Sequence, residues 1–240
     1  MRNTDTLSTH QNFDRSMTAA EKPRLLDLYC AAGGAAMGYH QAGFEVVGVD
    51  FNPQPNYPFK FIKADCLKLG MDFLQSFDAI HASPPCQAHT RKVATWGRER
   101  KHWPQHLDLI PATRLKLEWS GLPYVIENVV GAPLEGRTIT LCGTMFGLRI
   151  SKHRVFESNV PLTAPLKACD HSDVFNPWSG KGRTAAEFRE AQGTPWIPTG
   201  GGASRRAGVT GDLYNAIPPA FTKHIGQQLH AHLTEARAAA

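Results

Sequence analysis

The sequence predicts an α/β fold built on a doubly wound, mainly parallel β-sheet. Short apolar runs typical of buried strands, such as 24–30 and 44–50, alternate with stretches of helical length. A glycine-rich turn at 31–34 joins the first strand to the first helix. Strands that alternate with helices in this way form parallel sheets with helices on both faces. With 240 residues, 42% of them hydrophobic, the chain can bury a substantial core.

The individual elements are predicted from their composition and from the residues that punctuate them. Strands are predicted at 24–30, 44–50, 59–66, 77–85 and 123–131, with further strand pairs at 137–148 and 152–159. Helices are predicted at 31–43, 67–76, 106–122, 184–193 and 218–236. Residues 1–22 are polar and predict a disordered leader, and the tail 231–240 predicts a fraying helix. Prolines, glycines and polar residues at 158–210 predict a small irregular region.

Charge and cysteine usage restrict the classes of partner. The net charge of +5 permits a polyanionic partner without requiring one. Five widely spaced cysteines without a CxxC pair argue against a disulfide framework and favour a reducing cytoplasm. No apolar run is long enough to span a membrane. Cys142, His153, Cys169 and His171 match no standard spacing of zinc ligands, so no metal is predicted.

The first strand, turn and helix predict a nucleoside site. Glycines without side chains at Gly33 and Gly34 let a ligand approach the backbone, and Asp50 ends the second strand, where it can accept both ribose hydroxyls. The chain has neither GxGxxG nor GxxxxGK[ST], so no pyrophosphate or ATP phosphate is specifically held. S-adenosylmethionine is therefore the best candidate cofactor. The alternative is that the glycines only allow close packing of strand and helix.

The stretch HASPPCQAHT at 81–90 places a cysteine on a stiff turn. Pro84 and Pro85 cannot lie inside a helix or a central strand, and proline keeps the residue before it extended. Cys86 is therefore displayed just past a strand, as a nucleophilic thiol would be. A free cysteine is also often a small buried hydrophobe, and the local sequence leaves both interpretations open.

Short motifs in a fixed order resemble those of the DNA cytosine-5 methyltransferases, over about residues 24–230. DLYCAAGG (27–34) resembles the first family motif, with Tyr29 for phenylalanine and Ala31 for glycine. KADC (63–66) carries the acid expected near the adenine, and PPCQ (84–87) and ENV (127–129) match in full. In FGLRISKHRVF (146–156), Lys152 and Arg154 take the paired-arginine positions, and Ile150 replaces a glutamine. LYNAIPPAFT (213–222) resembles the last motif, with Tyr214 for glycine.

The resemblance implies an S-adenosylmethionine-dependent, Rossmann-like fold and a catalytic role for several residues. Cys86 would attack C6 of a flipped-out cytosine, Glu127 would bind its N3 and N4 edge, and Asn128 would brace the proline turn. Alone, Glu127 would be taken as a surface acid. The implied catalytic residues are Cys86, Gln87, Glu127, Asn128, Lys152 and Arg154. The implied cofactor residues are Asp27, Tyr29, Ala31, Gly33, Gly34, Asp50, Phe51, Asp65, Cys66, Pro84, Asn215 and Ala216.

Basic and aromatic residues after the nucleophile predict contact with nucleic acid, although a solvated basic loop is the alternative. The predicted contacts are Thr90, Arg91, Lys92, Arg98, Arg100, Lys101, Trp178, Lys181, Arg183, Arg205 and Arg206. The division implied is a catalytic domain at 23–157, a small target-recognition region at 158–210 and a returning segment at 211–240. The expected partner is double-stranded DNA, bound by a monomer. A tRNA cytosine-5 methyltransferase and a catalytically silent DNA-binding homologue remain alternatives.

The compact size resembles methylases encoded by bacteriophages and prophages, which implies protection of phage DNA against host nucleases. A methyltransferase acting on an amino group is disfavoured, because such enzymes typically place an aromatic residue after the two prolines, where this chain has Cys86.

Overall fold

A central β-sheet organises the protein in the computed structural model, which describes residues 22–90, 107–174, 184–200 and 209–239. The strands are β1 (Arg24–Leu28), β2 (Glu45–Asp50), β3 (Lys60–Lys63), β4 (Ala79–Ala82), β5 (Tyr124–Asn128), β6 (Thr138–Cys142) and β7 (His153–Ser158). The helices are α1 (Gly34–Gln41), α2 (Met71–Gln75), α3 (Gln87–Thr90), α4 (Ile110–Ser120), α5 (Ala185–Gln192), α6 (Gly211–Asn215) and α7 (Pro219–Ala238). Short 3-10 helices lie at Cys66–Lys68 and Gly143–Phe146.

The sheet is mainly parallel, as predicted. Its strand order is β3-β2-β1-β4-β5-β7-β6. Strands β1 to β5 are parallel to their sheet neighbours within this group, and β7 runs antiparallel to both β5 and β6. Between β1 and β4 the strand order changes direction, so the chain leaves these two strands toward opposite sides and opens a crevice at their carboxyl ends.

Both faces of the sheet are buried, which explains why its strands are continuous apolar runs. In β1, Leu25 packs in a cluster with residues of α1 and α7, while Leu26 and Leu28 pack on the opposite face with residues of α2 and α4. Since side chains alternate between the faces of a strand, one apolar run supplies two cores. The predicted doubly wound α/β fold is confirmed.

Helices α1 and α7 pack closely, because α1 presents small residues to α7. A β-carbon on Gly38 would collide with Thr222 Oγ1 and with the backbone at Pro219 and Lys223. Thr222 Oγ1 donates a hydrogen bond to the Ala35 carbonyl at 2.8 Å across this contact. The C-terminal segment is thus held on the first helix.

We expect Gly38→Ala to destabilise the protein by about 3 kcal/mol, because the added methyl group overpacks a backbone contact that cannot yield. In a free helix the same change would stabilise by about 1 kcal/mol. Urea denaturation measures the difference. The control is Gly70→Ala, since a β-carbon there meets nothing within 4 Å and the backbone has a φ of −66°. An equal loss in both variants would contradict the packing argument.

Several elements differ from their predicted extent. The short helices α3 and α6 were not predicted, and α7 continues to Ala238, within the tail expected to fray. In the region predicted to be irregular, Phe188 of α5 packs in a buried cluster with Ile150 and Leu213. Ile150, aligned with a family glutamine, is therefore a core residue. Within the described ranges, no helix combines the length and apolar character needed to cross a membrane.

Candidate active site

A cavity of about 690 Å³ lies at the carboxyl ends of the parallel strands. Because these ends share one edge of the sheet, residues that follow different strands converge there. The predicted catalytic residues lining it are Cys86, Gln87, Glu127 and Arg154. The predicted cofactor residues lining it are Asp27, Tyr29, Ala31, Gly34, Asp50, Phe51, Asp65, Cys66, Pro84, Asn215 and Ala216. These predicted cofactor residues and the predicted nucleophile, Cys86, thus line one cavity.

Packing requires glycine at both Gly33 and Gly34 in the turn after β1. A β-carbon on Gly33, whose φ is +81°, would lie 2.7 Å from Pro58 Cδ, and Gly33 does not line the cavity. A β-carbon on Gly34 would collide with the backbone of Ile217. Close contact with Pro58 and with Ile217 thus requires both glycines, while Gly34 also lines the cavity, and their role toward a ligand stays a prediction.

Two carboxylates are fixed at the cavity wall by backbone N–H groups. Asp50 Oδ2 accepts a hydrogen bond from Ala31 N at 3.2 Å, and Oδ1 accepts one from Asn52 N at 2.9 Å. Asp65 Oδ1 accepts one from Leu67 N at 3.0 Å at the start of a 3-10 helix. Each carboxylate oxygen can accept a second hydrogen bond, so both side chains remain able to bind a ligand.

The turn that carries Cys86 is braced from β5. Asn128 Nδ2 donates a hydrogen bond to the Pro84 carbonyl at 2.9 Å, which is the contact predicted for this asparagine. Ser83 N donates to the Leu28 carbonyl at 3.1 Å. Helix α3 begins directly after Cys86, and His89 N donates to the Cys86 carbonyl at 2.9 Å. These bonds hold the thiol at the cavity wall, where it is half-buried.

Glu127 and Arg154 form a buried ion pair beside the thiol. Arg154 Nε lies 2.9 Å from Glu127 Oε1, and their side chains are 15% and 7% exposed. This contact lacks hydrogen-bond geometry, so Glu127 Oε1 is a buried oxygen without a hydrogen-bond partner among the described residues. Burial raises the pKa of Glu127, and Arg154 opposes the shift. The carboxyl group can therefore hold a proton at a higher pH than an exposed glutamate.

The surroundings of Cys86 do not favour its thiolate. Burial raises the pKa of the Cys86 thiol, and the nearby Arg154 guanidinium only partly opposes this. Glu127 raises the pKa further by its negative charge. Because Arg154 is paired with Glu127, its charge is partly neutralised before it acts on the sulfur.

Lys152, one of the predicted catalytic residues, is held by several hydrogen bonds, and its catalytic role stays a prediction. Its Nζ donates hydrogen bonds to Gln192 Oε1 and to the carbonyls of Tyr214 and Ala216, at 2.7, 2.7 and 2.6 Å. It does not line the cavity. These bonds tie α5 and the segment after α6 to the start of β7. Lys152 lowers the pKa of Cys86 less than Arg154 does.

A buried chain of hydrogen bonds supports Glu127, and the sequence analysis missed it. Tyr39 Oη lies 3.0 Å from His81 Nδ1, and His81 Nε2 lies 2.8 Å from Ser83 Oγ. A hydrogen bond from Ser83 lowers the pKa of Glu127, so the hydroxyl donates to the carboxylate. Ser83 must then accept from His81 Nε2–H, and Nδ1 accepts from Tyr39. The adjacent residues His81 and Ser83 in HASPPCQ carried no motif signal.

Burial lowers the pKa of His81 from 6.5 to about 3. The unfolded chain therefore binds a proton more readily than the folded protein between these values, and His81 makes folding weaker as pH falls below about 6.5. From about pH 7 to about pH 5 the wild type should lose about 2 kcal/mol more stability than His81→Gln, which does not titrate. Urea denaturation at the two pH values measures this. Equal losses would mean that His81 is charged or exposed.

Comparisons with known proteins agree with the fold. No protein-family model matches the chain. An alignment of 125 positions to the type II methyltransferase M.AgeI of Thalassovita gelatinovora is 27% identical and covers 45% of this chain and 28% of that relative. The structure of the Entamoeba histolytica methyltransferase EhMeth has a TM-score of 0.59 at 11% identity and covers 89% of this chain and 99% of EhMeth. The chain has the fold of an S-adenosylmethionine-dependent methyltransferase.

A further structural match is weaker. The Dnmt2 methyltransferase of S. pombe has a TM-score of 0.42 at 17% identity, covering 70% of this chain and 60% of that one. The resemblance to DNA methyltransferases is confirmed by the sequence match, and its cytosine-5 specificity stays a prediction.

The methyltransferase fold leaves the predicted nucleic-acid contacts untested. Thr90 ends α3. The remaining predicted contacts lie outside the described residues: Arg91, Lys92, Arg98, Arg100, Lys101, Trp178, Lys181, Arg183, Arg205 and Arg206.

One residue of the region at 158–210 that contacts the turn after β1 was missed in the sequence analysis. Trp196 Nε1 donates a hydrogen bond to the Ala32 carbonyl at 2.9 Å. No motif surrounds Trp196, so the sequence offered no signal for this contact beyond the residue type.

Proposed function

We propose that the chain is a DNA cytosine-5 methyltransferase that uses S-adenosylmethionine. The observation that carries this proposal is that Cys86, Glu127 and Arg154 share one cavity with the glycine turn and Asp50. The sequence match to a type II methyltransferase supports DNA as the substrate. The marking of phage DNA remains a prediction from resemblance.

The cofactor end of the cavity fits an adenosyl nucleoside with a cationic tail. Asp27 Oδ1 is buried without a hydrogen-bond partner among the described residues, so it can accept from an ammonium group. Phe51 lines the cavity while its side chain is 69% exposed, which offers an aromatic face to a flat base. Asp50 would accept the ribose hydroxyls. When bound, S-adenosylmethionine supplies an electrophilic methyl group on a sulfonium.

The remaining residues fit nucleophilic catalysis on a pyrimidine. The Cys86 thiolate adds to C6 of a flipped-out cytosine, and the displaced electron pair makes C5 nucleophilic while N3 takes a proton from Glu127. C5 would then be methylated. Loss of the C5 proton to solvent and expulsion of the thiolate would restore the ring, and N3 would return its proton to Glu127.

The protonation of Glu127 and the protonation of Cys86 depend on each other, because both side chains interact with Arg154. In the free protein the charge of Glu127 raises the pKa of Cys86. A base that binds protonated Glu127 removes that negative charge and leaves Arg154 to act on the thiol alone. Binding of the correct base would then itself favour the reactive thiolate.

The test is methyl transfer from tritiated S-adenosylmethionine to a set of cytosine-containing duplexes, with tRNA as a parallel substrate. Matched duplexes containing 5-fluorocytosine should trap a covalent adduct, because fluorine cannot leave C5 as a proton does. Label in DNA together with a trapped adduct supports the proposal. Label in tRNA alone would replace DNA by RNA as the substrate, and DNA binding without label or adduct would show a silent homologue.

A further inference from the structure

Two cysteines and two histidines meet at the outer edge of the sheet. Cys142 ends β6 and His153 begins β7, and the antiparallel register places them opposite each other. Cys169 and His171 come from the segment after β7. One ligand atom from each of the four lies within 4.8 Å of the other three. Cys142 Sγ is 3.3 Å from His171 Nε2. The sequence predicted no metal here, because the spacing along the chain matches no standard pattern. The structure brings the four side chains together despite that spacing.

The donor atoms are oriented as metal ligands would be. His153 Nδ1 lies 2.9 Å from the Ser151 carbonyl, which can only accept, so Nδ1 carries the proton and Nε2 keeps a lone pair. Thr144 Oγ1 accepts a hydrogen bond from Asp170 N at 3.2 Å and lies 3.3 Å from Cys142 Sγ, to which it can donate. Such contacts behind the ligands fix their orientation in metal sites.

We propose that Cys142, His153, Cys169 and His171 bind one zinc ion. Two thiolates and two imidazoles suit zinc in tetrahedral coordination. With Zn–S bonds of about 2.3 Å and Zn–N bonds of about 2.0 Å, ligand atoms lie about 3.3–3.8 Å apart. The separations here, up to 4.8 Å, require a contraction of about 1.5 Å at most. Small rotations of the exposed Cys169 and His171 side chains can supply it.

The proposed zinc is structural. Four protein ligands leave no open position for a substrate. The ion would fasten the segment that carries Cys169 and His171 to the β6–β7 hairpin. His153 directly precedes Arg154, which pairs with Glu127 in the cavity. The zinc would therefore fix the strand end that presents the active-site arginine and the start of the region at 158–210.

The first measurement is the zinc content of the full chain, purified without chelators and under reducing conditions. We expect about one zinc per chain. Cys169→Ser and His171→Gln alter exposed residues, so the fold should persist while zinc affinity falls by more than about 100-fold, more than the loss expected for a residue behind the ligands. Thr144→Val should weaken binding by about 10- to 100-fold. The controls are Cys86→Ser and His232→Asn, which remove a thiol and an imidazole elsewhere and should retain the ion.

Cobalt(II) gives an independent readout of the ligands. The reduced, metal-free chain should bind it with thiolate-to-cobalt charge-transfer absorption, which falls to roughly half in Cys169→Ser and persists in His171→Gln at saturating cobalt. A wild-type chain without zinc or this absorption would overturn the proposal, as would a Cys142–Cys169 disulfide in peptide mapping of protein kept reduced. None of these measurements uses DNA or methyl transfer, so their outcome is independent of the proposed activity.

Discussion

The Cys86→Ser variant should lose methyl transfer by more than about 1,000-fold and form no adduct with 5-fluorocytosine DNA. A serine hydroxyl is a far weaker nucleophile than a thiol, because it loses its proton much less readily, and the nearby Arg154 is already paired with Glu127. The substitution is nearly isosteric and the Asn128 brace contacts Pro84 instead of the sulfur. The fold and the cavity should therefore persist, and the loss of methyl transfer would reflect the loss of the nucleophile.

Two further measurements make the Cys86 result specific. Duplex binding by the variant should equal that of the wild type, and S-adenosylmethionine should still raise its thermal stability by mass action. If Cys86→Ser kept methyl transfer, the thiol would not be the nucleophile, and direct attack by an amino group of the base would replace the proposed mechanism. If transfer and both kinds of binding failed together, the variant would be misfolded, and Cys86→Ala would then decide.

The arrangement of the site followed from features that are local in sequence. A strand that ends at Asp50, a strand that runs into PPCQ and a strand that ends in ENV predict three chemical groups at one sheet edge, if the strands are parallel. The parallel arrangement was predictable because the strands read as continuous apolar runs, which is typical of parallel strands buried on both faces. The cavity joins Asp50, Cys86 and Glu127 for this reason.

Other features depend on contacts between distant parts of the chain, and sequence patterns did not reveal them. Lys152 was predicted to be catalytic from its aligned position, whereas its hydrogen bonds run to oxygens of α5, of α6 and of the residue after α6. Gly34 was assigned to a ligand, and no motif signalled that the backbone of Ile217 also occupies the space of a side chain there. The raised pKa of Cys86 results mainly from burial, and a sequence motif does not show how deeply a side chain is buried.

The four proposed zinc ligands show the same limit, because two of them lie opposite one another only through the register of the two strands. Cys142 and His153 are separated by a hairpin connection, and pairing of β6 with β7 brings them together. A spacing pattern recognises ligands held by one short turn and misses ligands joined by a sheet ladder.

The Glu127→Gln variant should change two properties of the site in opposite directions. Methyl transfer should fall by about 100- to 10,000-fold, because glutamine cannot give a proton to N3 of the base. The Cys86 thiol should become more reactive toward iodoacetamide near neutral pH. The thiol titrates at a higher pH than the carboxyl group, so Glu127 is ionised when Cys86 loses its proton, and its negative charge raises the pKa of Cys86. Glutamine removes that charge and frees Arg154.

The measurement is the rate of Cys86 alkylation against pH, followed on the Cys86 peptide by mass spectrometry so that the exposed Cys169 does not contribute. The midpoint should move to lower pH in Glu127→Gln. Glu45→Gln removes the same charge from an exposed position at the start of β2, the end of the strand away from the cavity, and should leave the midpoint unchanged. An unchanged or higher midpoint in Glu127→Gln would mean that the carboxyl group does not act on the thiol, and the coupling between base binding and thiolate formation would fail with it.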